Sequence, residues 1–173
     1  MSAGYDPQSW QAFYSLIGSA AATLTGLLAV ALSIKPERIM GTPTHAARSR
    51  EALAGFLVLI VTSILMLIPG QNPAELGIEL FSVGFIVLVG AVFLQRRTVS
   101  RLHASLRRAW ILRVALFDSA AVFGIVGGLS LAAGSGGGLY WLVPTTLICL
   151  VWGLVNCWQL LVLLPEERKH IAQ

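Results

Sequence analysis

The chain is expected to be all-α, a bundle of five membrane-spanning helices with its N-terminus outside and its C-terminus in the cytoplasm. Three observations predict this: five long apolar stretches, a hydrophobic composition and a one-sided distribution of Lys and Arg. The stretches, residues 11–34, 52–69, 77–95, 110–133 and 139–164, are each about as long as the roughly 17–25 residues a bilayer-crossing helix requires. Hydrophobic residues make up 56% of the 173, charged residues 12%, and the mean hydropathy is +0.78. That leaves too little polar surface for a soluble globule of this size, and residues 1–173 are read as one transmembrane helical domain. Eleven of the twelve basic residues fall in alternate connections: Lys35, Arg38, Arg48 and Arg50 in the first, Arg96, Arg97, Arg101, Arg107 and Arg108 in the third, and Arg168 and Lys169 in the tail. Loops rich in Lys and Arg stay in the cytoplasm during insertion, which sets the orientation.

Span one is dense in small residues. At about 100° per residue, Ser15, Gly18, Ser19, Ala22, Gly26 and Ala29 share one arc of roughly 100°, with Thr23 about 40° beyond its edge. Lipid tails are as apolar as Leu, so helices in a membrane associate through close backbone approach and short hydrogen bonds, and such a face admits a neighbour. The neighbour is a helix of the same chain, a second subunit or the lining of a pore. Residues 1–10 contain Asp6 and no Lys or Arg, and the apolar run continues past Gly18–Ala22 to Ile34, against a cleaved signal peptide. Met1–Gln173 is therefore expected to be the mature chain. Span two has Thr62 and Ser63 as its only polar side chains and is the best candidate for a lipid-facing helix; Pro69, Gly70 and Pro73 end it. Span three runs from Glu75 and Glu79 to the Arg96–Arg97 pair, with no charge between.

Span four holds Asp118. If the hydrocarbon begins near Ala109, Asp118 lies roughly 13–14 Å in, at about 1.5 Å per residue, and close to the centre of a roughly 30 Å core. A carboxylate there carries a penalty of about 2.5–3.5 kcal/mol and is expected to face the bundle interior or water and to have a partner. Arg113 is about 140° around the helix and is expected to snorkel to the cytoplasm. A neighbouring hydroxyl or Asn156 is therefore the expected partner of a protonated Asp118, and a water-filled path the expected setting of an ionised one. Ala120, Gly124, Gly127 and Gly128 form a second small-residue face away from Asp118, which places span four centrally. The run Gly134–Gly138 is expected to be a flexible outer connector.

Span five carries a stripe of Thr145, Cys149, Trp152, Asn156 and Gln159, spaced to lie within an arc of about 80°. These side chains either tie helix five to its neighbours or line a polar conduit opposite Asp118 or the hydroxyls Ser15, Ser19 and Thr23. Tyr140, Trp141 and Trp158 suit interfacial anchoring. Cys149 and Cys157 are about 12 Å apart along one helix at roughly 1.5 Å per residue, too far to bond to each other. His45, His103 and His170 show no metal-ligand spacing, so no cofactor or metal and no enzymatic activity is expected. Ser19-Ala20-Ala21 and Ser119-Ala120-Ala121 are the whole of the internal likeness, too little to establish an inverted repeat.

Trp10–Ile34, with its core Gly18–Leu28, then Ile68-Pro69-Gly70-Gln71 and Leu76–Leu80, resembles a family of small multi-span bacterial inner-membrane proteins of uncharacterised function. The likeness covers the first half of the chain. It implies a bacterial inner (plasma) membrane location and supplies no activity, substrate or site residue.

With a net charge of +4 placed in short loops beside apolar spans, anionic lipid headgroups are the expected partner of the basic residues, and nucleic acid is not. The packing faces, Gly18, Ala22 and Gly26 on span one and Gly124 and Gly128 on span four, exceed what one five-helix bundle absorbs, so a homo-oligomer is expected. The leading functional expectation is a conduit or binding site for an ion or small solute built from Asp118, Thr145, Cys149, Asn156, Gln159, Ser15, Ser19 and Thr23. The alternative is a non-catalytic accessory or scaffold subunit of a larger membrane complex.

Overall fold

The computed structural model describes residues 3–34, 43–99 and 104–163. They form five long helices, α1 (Gln11–Ile34), α2 (Pro43–Leu67), α3 (Pro73–Val99), α4 (Ala104–Ala132) and α5 (Leu142–Leu163), with short 3-10 turns at Ala3–Tyr5, Pro7–Trp10 and Gly138–Trp141. All five helices are long and apolar enough to cross a membrane, and a helix satisfies its backbone N–H and C=O groups within its own segment, as a spanning element must. Of the basic and histidine positions read from the sequence, Lys35, Arg38, Arg101, His103, Arg168, Lys169 and His170 lie outside the described residues.

Helix ends overrun the apolar stretches where polar residues still favour helix. α2 begins at Pro43, not at residue 52, and α3 continues through Arg96 and Arg97 to Val99. Proline suits the first helical position, where its missing N–H is not needed, and Ala46, Ala47 and Glu51 are good helix formers. α3 starts more sharply: the Ala74 N–H donates to Asn72 Oδ1 at 3.0 Å, Pro73 occupies the first helical position, and Glu75 lies in the first turn, where the helix dipole favours an acid.

α2, α5, α4 and α3 close in that order into a four-helix ring, and α1 packs on the outside of α2 with a smaller contact to α5. This narrows the expectation for span two: α2 leaves Leu53, Leu57 and Ile64 exposed on one side, and on the other it buries Ala52, Phe56, Leu59 and Met66 together with Thr62 and Ser63. Phe56 is fully buried, and its ring fills the space where a side chain at Gly153 on α5 would stand. An apolar sequence does not separate the two environments, because the inside of a membrane bundle and the lipid around it are equally apolar. The outer surface is rich in large apolar side chains, with Leu16, Ile86 and Trp158 each 68% exposed, which suits lipid and not water.

The closest helix pair is α3 with α4. A Cβ on Gly77 would stand 2.7 Å from the Gly128 carbonyl oxygen, and a Cβ on Gly128 would stand 2.7 Å from the Gly77 carbonyl oxygen. The two backbones therefore touch with no side chain between them. The small-residue face of span four divides at this point. Gly128 faces α3, whereas Gly124 and Gly127 meet Thr145 and Leu142 of α5.

The Gly134–Gly138 connector is a built turn and not the flexible linker expected. Gly137 and Gly138 have φ of +109° and +56°, in the left-handed region that glycine adopts without steric penalty. The Gly138 N–H donates to Ser130 Oγ at 2.8 Å, and the Gly137 N–H donates to Tyr5 Oη at 2.8 Å. A side chain on Gly138 would collide with the Gly4 carbonyl, and one on Gly4 would stand 2.8 Å from the Gly137 carbonyl oxygen. Trp10 completes the clasp: its Nε1–H donates to the Ala3 carbonyl at 2.8 Å, and its ring meets Tyr140 edge-on, centroids 5.1 Å apart. The first residues of the chain are thus fastened to its last hairpin.

The α3–α4 contact predicts a contrast between two glycines of α3. Gly77→Ala should lower thermal stability in detergent by about 1–3 kcal/mol, the usual penalty of overpacking. Gly90→Ala, where nothing lies within 4 Å of the added methyl, should leave stability unchanged or raise it. Equal melting temperatures for the two variants would contradict the close approach.

Candidate functional site

The span-five stripe points into the bundle. Thr145 Oγ1–H donates to the Ala120 carbonyl at 3.0 Å and so ties α5 to α4. Cys149 is buried beside Ala52, Phe56 and Ala120. Asn156 is also buried, and its Nδ2–H donates to the Trp152 carbonyl at 3.0 Å; Gln159 is half-buried. Thr145 and Cys149 meet Thr62 of α2 at a cavity of about 20 Å³ enclosed by α2, α3, α4 and α5 and otherwise lined by apolar residues such as Leu80 and Phe117. That volume holds about one water.

Asp118 is half-buried, and its Oδ1 accepts a hydrogen bond from Gln95 Nε2 at 2.9 Å. This revises its partner. Gln95 is the last residue of the third apolar stretch, immediately before Arg96 and Arg97, so Asp118 lies level with the end of that stretch and not with its middle. The partner comes from α3, not from Asn156 or a hydroxyl of α1. α4 is helical from Ala104, so the start of the helix does not mark the start of the apolar stretch from which the depth was counted. Gln95 is the one amide in the third stretch, and that was the available signal for it.

The small-residue face of α1 looks away from the bundle. Ser15, Ser19, Ala22, Thr23, Gly26 and Ala29 are exposed, while Tyr14, Ile17, Ala21, Leu28 and Ala31 on the other side are buried. Gly18 and Gly26, equivalent in sequence, differ in surroundings. A Cβ on Gly18 would stand 2.9 Å from Ser63 Cβ of α2, and a Cβ on Gly26 would meet nothing within 4 Å. Ser19 Oγ–H donates to the Ser15 carbonyl at 2.8 Å and Thr23 Oγ1–H to the Ser19 carbonyl at 2.9 Å. Their protons are committed to the helix itself, which leaves oxygen lone pairs on the outer face.

The structure therefore brings Thr145 and Cys149 together, pairs Asp118 with Gln95, and sets Ser15, Ser19 and Thr23 apart from both. Sequence reasoning did not single out Tyr14, whose buried hydroxyl has no hydrogen-bond partner, and noted Ser63, whose hydroxyl is equally unpartnered, only as a polar residue of span two. Both cysteines are free and buried. Among the described residues no group of three His, Cys, Asp or Glu could hold a metal ion. Comparison of the chain with family models, curated proteins and solved structures gives no match to any of them.

The Asp118–Gln95 bond is open to a double-mutant cycle. Asp118→Leu and Gln95→Leu should each destabilise the protein, with a coupling of about 0.6–1.7 kcal/mol, the range for hydrogen bonds between membrane helices. Asp118→Asn should be almost silent, since its amide oxygen accepts the same bond. Additive effects of the two Leu substitutions in chemical unfolding would show that the residues act independently.

Proposed function

We propose that this chain is a non-catalytic protein of the bacterial inner membrane, N-terminus outside, which self-associates through α1 and forms at that seam a polar path for a cation or small solute. The observation that carries the reading is the outward face of α1. Small residues there make few dispersion contacts with lipid but allow a second backbone to come close, and the bundle's own helices leave the face from Ala22 to Ala29 uncovered. The packing faces of α4 and α5, by contrast, are occupied within the chain. Asp118 and the α5 stripe then serve the architecture of each subunit, and a path, if shared between subunits, has the lone pairs of Ser15, Ser19 and Thr23 along it. Oxygen acceptors favour cations over anions.

Charge distribution supports the same direction. Residues 1–34, 51–95 and 114–167 contain no Lys, Arg or His, so in the proposed orientation the outer surface bears Asp6, Glu75 and Glu79 without a basic side chain between the spans. The basic residues at the opposite end suit anionic headgroups of the cytoplasmic leaflet. An accessory subunit would use the same α1 face against a different membrane protein, and purification separates the two readings: a homo-oligomer supports the first, and co-purification with a larger complex supports the second.

The seam has a specific signature. Gly26→Leu should lower the apparent mass in detergent to that of a single chain while leaving the helix content and melting behaviour intact, and it should abolish cation flux in reconstituted vesicles. Gly18→Leu should unfold or destabilise the subunit, because its neighbour is Ser63. Unchanged mass for Gly26→Leu would remove α1 as the association face. Orientation is tested separately in a chain lacking Cys149 and Cys157. Asn72→Cys should react with an impermeant thiol reagent applied outside the cell, and Ser100→Cys should not.

A further inference from the structure

Residues 3–10 form a small unit of their own at the end of the molecule where α1 begins. Ser9 Oγ–H donates to the Asp6 carbonyl at 2.8 Å, and the Ser9 N–H donates to the same oxygen at 3.2 Å. The Gln8 N–H donates to Asp6 Oδ1 at 3.1 Å, and Trp10 Nε1–H donates to the Ala3 carbonyl at 2.8 Å. All of these bonds close within the unit. Apart from its continuation into α1, a single hydrogen bond among the described residues joins it to the rest of the protein, from the Gly137 N–H to Tyr5 Oη. The unit is tied more firmly to itself than to the bundle.

The attachment is also one-sided. Toward the α4–α5 turn, Tyr5 and Gly4 meet Gly137 and Gly138. Toward the α2–α3 corner, a cavity of about 180 Å³ lies between Tyr5, Asp6 and Gln8 on one wall and Met66, Ile68 and Gln71 on the other. Beneath the unit is the layer of Tyr14, Met66, Leu76, Leu131 and Leu139, on which Tyr5 and Trp10 pack. Two polar atoms are shut from solvent here without a hydrogen bond: the Tyr14 hydroxyl, within that layer, and Gln71 Oε1, at the corner. Helical side chains lean toward the N-terminus of their helix, which for Tyr14 is the side of the unit. A buried hydroxyl or amide oxygen with no partner bears the whole penalty of leaving water, so the closed arrangement carries a strain that hydration would relieve.

We infer that residues 3–10 are a lid, hinged where they enter α1, which swings away from the α4–α5 turn as one piece and admits water to Tyr14 and Gln71. Opening breaks the one bond to Gly137, parts the Trp10 ring from Tyr140 and keeps the bonds inside the lid. The covered layer also contains Leu80 and Leu142, which line the inner cavity beside Thr62 and Thr145, so the lid lies over the approach to that cavity. The inference concerns the single chain and does not depend on assembly through α1.

Amide hydrogen exchange, read by NMR on the purified full-length protein in detergent, tests this without any substitution. The Gly138 N–H is held by Ser130 Oγ of α4, and the neighbouring Gly137 N–H by the lid. Gly137 should exchange about tenfold faster or more, because local opening frees it alone. Thiol labelling gives a second measurement in a chain lacking Cys149 and Cys157. Leu76→Cys lies in the covered layer and Leu59→Cys in the other buried cluster, with Ala52 and Phe56; a small thiol reagent should label the first about tenfold faster or more. Tyr5→Phe removes the hydroxyl that fastens the lid and should speed that labelling about fivefold with no change at Leu59→Cys. Tyr14→Phe removes the hydroxyl that opening hydrates and should slow it about threefold. Equal protection of Gly137 and Gly138, labelling of the two cysteines in step, or a rate at Leu76→Cys indifferent to Tyr5→Phe and Tyr14→Phe overturns the inference.

Discussion

Helices surrounded by lipid gain nothing from turning an apolar side chain inward, so neighbours are selected by how closely their backbones can approach. Here that constraint is met most fully where Gly77 and Gly128 face each other and α3 lies directly on α4. With α3 held there, Gly124 and Gly127 on a neighbouring part of α4 are left to receive Thr145 and Leu142 of α5. α5 in turn offers Gly153, the recess that takes the Phe56 ring and brings α2 to the centre. The ring of four helices is thus a succession of recesses and the groups that fill them. α1 joins it last, along α2, where Gly18 meets Ser63.

The number of spans and their approximate limits were legible because they depend on length and hydropathy alone. Burial was not. Span two was read as lipid-facing for its lack of polar groups, yet Phe56, Leu59 and Met66 are among the best-buried side chains. The useful signal lay in complementary shapes, the large Phe56 against the missing side chain of Gly153, and such a pairing between distant segments is invisible to periodicity. The α5 stripe was visible as a pattern, but the choice between tie and conduit needed the position of the Ala120 carbonyl. Asp118 was recognised as a residue that must have a partner; the identity of that partner depended on the register of α3 against α4, which no single helix encodes.

The same distinction applies to the face on α1. Ser15 and Ser19 share the arc with Gly18 and Gly26 in sequence, with Thr23 just beyond it, and only the path of α2 divides it, leaving Gly18 inside and Gly26 outside. The hydroxyls contribute little to holding α1 in place, since Ser19 and Thr23 bond within their own helix. Their effect is to present oxygen at a surface where aliphatic side chains would otherwise meet lipid. The 3-10 turns before α1 escaped the sequence reading altogether: they are too short for a periodic signal, and Tyr5 and Trp10 acquire their roles only through Gly137 and Tyr140.

That clasp joins residues 132 positions apart, and chain synthesis runs from the N-terminus. Tyr5 therefore emerges and must wait, while four helices are made, before Gly137 exists to receive it. During that interval the first span has α2 as its sole prospective neighbour and no fastening at its leading end. The N-terminal turns therefore take their observed position only once the α4–α5 connection has been made.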